Sequence, residues 1–473
     1  MNNSHISRKE ENAIVHLKIP RLSVTERIST FEEVELGLTE EQAIQEAGRC
    51  LKCKCAPCVS ACPVKVSIPD FISVLAEGDL LRAVHILRRT NPFSAVCGRI
   101  CSQEQQCESK CILRFHGAPI AIGALERFVA DWALENADKA GAELLHAPTG
   151  KHVAVIGGGL AGLSAAADLA IWGHQVKIYE ALHDTGGVLF SGIPEFRLPW
   201  KIVSGEIARI LSLGVRVECN VPVGKMVSFN RLYAEYDAVF LANGAGSSVS
   251  PGIPGQGLRG VYSAREFLAC ANKVKSGHEA YGFQPIIRGK NVTVIGGGNT
   301  AMDCARVARR LGAERISVVY RRGESDMPAR VKEIEQAKEE GVDVLTLLSP
   351  VEVLGDEACR VKGLLCQQMK TGEIDPSGRR ISVPVRDSLH EVETDMVIYA
   401  LGTFLNPVMA DLLPVQEQGG ISTFVVHANG STNIPRIFVG GDNIRKCGTA
   451  ALAIADGKRA AGAIHSFLAT GAL

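Results

Sequence analysis

The sequence predicts an α-helical N-terminal domain followed by two Rossmann-like α/β nucleotide-binding domains, the second inserted in the first. Three observations carry that reading. Nine of the 15 cysteines fall between Cys50 and Cys111, in a stretch with helical segments and no regular strand pattern. A strand, a glycine turn and a helix then follow one another twice, about 140 residues apart, around the shared core Val-Ile-Gly-Gly-Gly. Finally, Ile437-Phe438-Val439-Gly440-Gly441-Asp442 reads as a late strand ending in another glycine turn, with a helix after it. The expected divisions are 1–146 for the helical domain, 147–285 and 399–473 for the two parts of the first α/β domain, and 286–398 for the inserted one.

Composition sets the frame for these elements. The chain has 473 residues, 46% hydrophobic and 22% charged, which suits folded globular domains and excludes disorder or a fibrous repeat. Lys+Arg and Asp+Glu are both 51, so no bulk attraction to nucleic acid or an anionic membrane is expected. The first residues are polar and charged, which predicts no secretory signal. No run reaches about 18 uninterrupted apolar residues; even the alanine-rich end carries Asp456, Lys458 and Arg459. A cytoplasmic protein is therefore expected, and in a reducing compartment many cysteines point to metal ligation and not to disulfides.

In the first block, helices are expected at 40–49, 68–89 and 122–136, separated by the cysteine runs. Ala147-Pro148-Thr149-Gly150 reads as a linker. A strand at His152–Ile156, a helix to about Gly173 and a strand at Gln175–Tyr179 follow. The same order returns with strands at 292–295 and 316–320 around a helix ending near Leu311.

The cysteine runs are Cys50-x2-Cys53-x4-Cys58-x3-Cys62-Pro63 and Cys97-x3-Cys101-x5-Cys107-x3-Cys111. Thiolates are soft ligands, and cubane clusters are commonly held by four of them. Two such runs suit two [4Fe–4S] clusters that share ligands between runs. The alternative, structural zinc, favours paired Cys-x2-Cys knuckles, which only Cys50/Cys53 and Cys55/Cys58 provide. Spacing alone leaves open whether Cys55 is a ligand, because Cys55-x2-Cys58-x3-Cys62-Pro63 also fits part of a ferredoxin run.

Gly157-Gly158-Gly159-Leu160-Ala161-Gly162 follows a strand and opens a helix. Gly157 would allow the tight turn, Gly159 the close approach of a pyrophosphate, and Gly162 the packing of helix on strand. Helix N-terminal N–H groups would receive the diphosphate. Glu180 ends the second strand, where it would accept from ribose hydroxyls and repel a 2′-phosphate; with Gly186-Gly187 beyond it, FAD is expected. The second turn, Gly296-Gly297-Gly298-Asn299-Thr300-Ala301, is followed by a strand ending in Arg321-Arg322. A planar guanidinium fork suits phosphate oxygens, so NADP(H) is expected there. Gly441-Asp442 would meet the ribityl or diphosphate end of the flavin. The helix start at Thr449 and Ala450 would point its dipole at the flavin N1–C2=O edge, favouring the reduced form. No Cys-x2-Cys dithiol lies among Cys219, Cys270, Cys304, Cys359, Cys366 and Cys447, and no Ser/His/Asp arrangement stands out. No catalytic side chain is expected, since hydride would pass directly between cofactors.

These residues together resemble the small (β) subunit of NADPH-dependent glutamate synthase. The module resembled also occurs in dihydropyrimidine dehydrogenase and in NADH-dependent ferredoxin:NADP oxidoreductase. The resemblance runs from about Glu32 to the C-terminus. It is carried most specifically by 49–53, 97–101, the Gly192-Ile193-Pro194-Glu195-Phe196-Arg197-Leu198-Pro199 stretch and 319–322. It implies that Cys50, Cys53, Cys58 and Cys111 hold one cluster and that Cys62, Cys101, Cys107 and Glu126 hold the other, with Cys55 and Cys97 outside both sets. It adds Val188, Arg197 and Val223 to the flavin residues, and Asn299, Thr300 and Gly402 to the NADP(H) residues. It implies an NADPH-oxidising FAD and iron–sulfur electron-transfer subunit that needs a larger catalytic partner or a ferredoxin-type one. The closest alternative it offers is a ferredoxin:NADP oxidoreductase, sulfide or dihydropyrimidine dehydrogenase-type flavin subunit.

Overall fold

The computed structural model describes residue 17 and residues 19–275, 287–374, 380–406, 413–418, 421–445 and 448–471. The N-terminal block is helical: α1 Val24–Ser29, α2 Glu40–Gly48, α3 Pro57–Ala61, α4 Ile68–Ala76, α5 Leu80–Thr90, α6 Ser94–Ile100 and α7 Ile122–Glu135. Local chemistry sets their limits. Ser23 and Thr39 form capping boxes with Glu26 and Gln42, satisfying N–H groups that a helix start leaves unpaired. The single helix expected over 68–89 is two, because Gly78 adopts φ +78° and Asp79 caps the second segment through the Arg82 N–H. Phe71, Ile72, Leu75, Leu87 and Leu125 then face one another in a common core.

The first α/β sheet has the order β13–β4–β1–β2–β3, all parallel: Ile437–Val439, Ala238–Leu241, His152–Ile156, Gln175–Tyr179 and Arg216–Glu218. Helix α8, Leu160–Ile171, covers β1 and packs along the C-terminal helix α13, Ala450–Thr470, while α9, Trp200–Ser212, precedes β3. The Ile437–Val439 strand thus returns to the sheet begun near residue 152, and the second α/β domain lies between these parts. A parallel central strand buried on both faces needs a continuous apolar run, which Val153, Ala154, Val155 and Ile156 supply.

The second sheet has the order β5–β12–β6–β7–β8, formed by Val261–Ser263, Met396–Tyr399, Asn291–Ile295, Arg315–Tyr320 and Val342–Thr346. Because Val261–Ser263 pairs with Met396–Tyr399 here, the inserted domain begins before residue 261, and the expected division at 285/286 was too late. The residues on either side of that division lie outside the described ones. Its helices include α10 Ala264–Lys275, α11 Asn299–Arg310 and α12 Val331–Glu339. An antiparallel sheet of β9 Leu348–Gly355, β10 Val361–Ile374 and β11 Arg380–Glu393 extends from it and was not expected from the sequence. A two-residue antiparallel ribbon, Ser247–Ser248 with Thr403–Phe404, lies where the chain passes between the two domains.

Candidate functional site: two cysteine groups and two glycine turns

The short loops of the helical domain bring distant cysteines together. Cys50 follows α2, Cys53 closes a turn to the Ala56 N–H, and Cys58 lies in α3. Cys111 follows a 3-10 turn at Glu108–Lys110 and is reached through the Ile120 N–H, 3.5 Å from its Sγ. Cys50, Cys53, Cys58 and Cys111 line one cavity with Ile68, Ile72 and Leu113 among its apolar walls. Burial pushes the Cys58 thiol up to about 11, and Cys50 and Cys111 nearby push the same way. A bound iron cluster reverses that sign, since a coordinating thiol is deprotonated. A dry, four-sulfur cavity therefore fits a cubane.

The second group forms deeper. Burial raises the Cys62 thiol, with Glu126 and Cys101 adding to it. Burial also raises Cys107, reinforced by Glu108, Glu126, Cys62 and Cys101. Cys62, Cys101, Cys107 and Glu126 thus lie near enough for their charges to act on one another. The Glu126 carboxyl is buried, pushed up to about 7 by desolvation, and accepts from the Asn91 amide at 2.7 Å. Cys97 is buried beside Cys101, while Cys55 is exposed. Among the described residues no three His, Cys, Asp or Glu side chains converge tightly enough to hold a single metal ion.

The first glycine turn has the steric form its glycines demand. Gly157 has φ +104°, and a Cβ there would lie 2.5 Å from the Ala242 carbonyl oxygen; one on Gly162 would lie 2.0 Å from that of Gly157. Gly159, by contrast, faces open space. Gly187 passes over it, its own Cβ direction 3.3 Å from the Gly159 Cα, and the Gly186 N–H donates to the Gly158 carbonyl at 2.8 Å. Glu180 accepts from the Gly158 N–H at 2.7 Å and the Leu182 N–H at 2.8 Å, so it braces the turn and keeps further lone pairs to accept with. Thr449 caps α13 through the Leu452 N–H, and the Asp442 carboxylate lies against Gly448 just ahead of that start. Val188 is exposed near the turn, and Val223 is buried in a bridge with Val227.

Arg197 is directed elsewhere. Its guanidinium meets both Asp303 oxygens at 2.7 and 2.6 Å and Glu333 at 3.2 Å, all in the inserted domain. Arg306 bonds Glu333, Gln336 and Glu340, and Arg310 joins Glu340 to the Thr30 carbonyl. Phe196 lies beneath the guanidinium groups of Arg306 and Arg310, at 4.6 and 3.9 Å. This junction ties the 192–199 stretch to α11 and α12.

At the second turn Gly296 has φ +142° and a Cβ direction 2.5 Å from the Ala400 carbonyl oxygen, whereas Gly298 and Gly402 face open space. Thr300 is exposed at the helix start. Asn299 accepts from the Arg330 N–H at 2.9 Å. Arg321 is exposed, and Arg322 donates to the Arg380 carbonyl at 2.8 Å, so the pair flanks the end of β7. Arg330 itself is buried. Its guanidinium reaches Glu104, Gln103 and the Arg99 carbonyl beside Cys101, joining the second glycine turn to the second cysteine group. No periodicity or motif marks Arg330, Asn91 or Asp303, which sequence reasoning missed.

Such a layout, two parallel sheets each opening a glycine turn at its strand ends, defines a dinucleotide-binding flavoprotein class. Residues 151–457 match the pyridine nucleotide-disulphide oxidoreductase family, and residues 27–138 match dihydropyrimidine dehydrogenase domain II, 4Fe-4S cluster. FprA from Mycobacterium tuberculosis, solved in complex with NADPH, superposes with a TM-score of 0.59 at 21% identity, over 68% of this chain and 85% of that one. The glutamate synthase [NADPH] small chain of Escherichia coli is 34% identical over 95% of this chain and 96% of its own. The NADP(+)-dependent formate dehydrogenase subunit beta of Moorella thermoacetica is 37% identical over 88% of this chain, which spans 60% of that relative. The chain belongs to the pyridine nucleotide-disulphide oxidoreductase family and carries a module of the glutamate synthase small-chain type. It is an oxidoreductase whose cofactor set is FAD, NADPH and iron–sulfur. No described helix is long and apolar enough to cross a membrane.

Proposed function

We propose that this chain is the NADPH-oxidising electron-transfer subunit of a larger cytoplasmic complex, feeding a glutamate-forming large subunit. When bound, the flavin supplies the exchange between a two-electron hydride donor and one-electron carriers. The chain's own residues do the positioning. Gly296, Gly298, Asn299, Thr300, Arg321, Arg322 and Gly402 would receive NADPH. Gly157, Gly159, Gly162, Glu180, Gly187, Gly441, Asp442, Thr449 and Ala450 would hold FAD, with Val188 and Val223 near it; Arg197 would act through the junction it braces. The two ligand sets, with Glu126 in the second, would hold two [4Fe–4S] clusters.

The observation supporting this most is that one chain carries two glycine turns, each with a glycine open to a ligand, beside two runs of clustered cysteines. The 37% identity to the formate dehydrogenase beta subunit favours a second reading, in which the partner oxidises or reduces a different substrate through the same cofactors. Iron and flavin analysis of anaerobically purified protein should return about eight irons per chain and one FAD, with rapid flavin bleaching by NADPH. Co-purification with a glutamine-dependent large subunit supports the first partner; recovery of a formate-oxidising subunit overturns it.

A further inference from the structure

The charge balance of the whole chain conceals one strongly uneven surface. From Cys50 to Val66 the sequence has Lys52, Lys54 and Lys65 and no acid; from Ser109 to Pro119 it has Lys110 and Arg114 and no acid. Both stretches frame the Cys50, Cys53, Cys58 and Cys111 cavity, whose lining includes Leu51, Lys110 and Ile112. All five cations are exposed, and no salt bridge among the described residues reaches them. Lys65 is held on the Ser60 carbonyl at 2.6 Å and Arg114 on that of Ser109, so both are fixed by backbone and not neutralised. The neighbouring acid, Glu108, is turned inward onto the Gly123 N–H at 3.0 Å; the next, Asp70, lies beyond the run on α4. Among these cations stand exposed apolar side chains, Leu51, Ile112 and Phe115, the last 75% exposed with the Arg114 guanidinium 5.2 Å from its ring centre. An apolar centre inside a cationic rim is the anatomy of a protein interface.

We propose that this collar is the electron exit, and that it docks a protein acceptor with an acidic rim. The inference rests on the reading of the cavity as a cluster site. Charge complementarity commits it to a redox protein whose docking face is acidic, since opposite potentials steer encounter and fix register. One NADPH gives NADP+, a proton and two electrons, which would leave singly to two acceptor equivalents.

Holoenzyme can be tested for binding an acidic [2Fe–2S] ferredoxin as the probe, with basic cytochrome c as the control, alongside NADPH-driven reduction of each. The Kd for ferredoxin should rise about tenfold or more between 50 and 500 mM NaCl, as steering of this kind falls with ionic strength. A Lys54→Glu/Arg114→Glu variant should weaken binding at least tenfold at low salt while flavin bleaching by NADPH stays unchanged. Ferredoxin binding insensitive both to salt in the wild type and to the variant overturns the proposal, as does equal binding of cytochrome c. Self-association abolished by Phe115→Ser would assign the collar to a second copy and overturn it too. Iron content and the electron paramagnetic resonance of the NADPH-reduced protein separate the failures: absent clusters sink the underlying reading with it, whereas reduced clusters with salt-insensitive binding sink the docking site alone.

Discussion

Single residues in the two turns divide into those the backbone needs and those a ligand needs. Gly162 has no room for a methyl group, so Gly162→Ala should destabilise the fold by about 1–3 kcal/mol, the range for overpacking, seen as a lower denaturant midpoint. Gly159 faces open space, so Gly159→Ala should leave the flavin-free protein as stable as before and lower its FAD retention. Equal losses of stability in both variants would refute the distinction. Arg321 and Arg322 are read as the choosers of phosphate. Replacing both with alanine should cut kcat/KM for NADPH at least tenfold relative to NADH, matching about 1.5–3 kcal/mol for hydrogen bonds to a charged group. An unchanged ratio of NADPH to NADH efficiency would rule that role out. The tight-turn glycines were legible because a strand–turn–helix junction leaves no room for a side chain at Gly157 and Gly162. Arg197 was only half legible: the residue stood out, but its partners Asp303 and Glu333 lie more than 100 positions away and carry no motif.

At the scale of elements, the junction between α11, α12 and the 192–199 stretch is an ion network away from water. Burial alone would raise the Glu333 carboxyl, but Arg197, Arg306, Lys332 and Arg330 outweigh it and hold it at about 2, down from 4.5. A carboxyl depressed in the folded state contributes its stability above the unfolded pKa and loses it as pH falls toward the folded one. The wild type should therefore weaken between about pH 4.5 and pH 2 in chemical denaturation. Glu333→Gln should lose that part of the slope and start roughly 3–5 kcal/mol less stable at neutral pH, because Arg197 and Arg306 would keep a weakened partner in a buried site. A parallel pH profile for both proteins would contradict this. The sequence hid this network because its charged helices look like ordinary solvated faces. Likewise the long antiparallel β9–β11 sheet escaped notice: its strands alternate weakly, and Gly372 and the register shifts interrupt them. The helix start capped by Thr39, in contrast, was readable, whereas those capped by Ser23, Asp79 and Ser228 were not.

For the whole molecule, the telling feature is that the first sheet is completed by residues nearly 200 positions beyond the strand they pair with. Ile437–Val439 pairs with Ala238–Leu241, and α13 covers α8. A chain cut after residue 436 should expose the apolar faces of both, lose FAD and aggregate on expression, whereas binding at the second turn should survive in any folded remnant. Retention of stoichiometric flavin by that truncation would show the return of the chain to be dispensable. The inserted order was legible from the Gly-Gly-Asp strand, yet the start of the insertion was not. Val261–Ser263 is three residues long, too short for any periodicity to announce which sheet it joins.

The Ser247–Ser248 and Thr403–Phe404 ribbon has the slender build of a hinge on which a door could swing. The bolt is already thrown: Arg197 with Asp303 and Glu333 on one side, Arg330 with Glu104 and Gln103 on another. A door held shut in this way does not have to close at each turnover, so thickening the medium with sucrose should leave NADPH-driven flavin bleaching nearly as fast as in plain buffer.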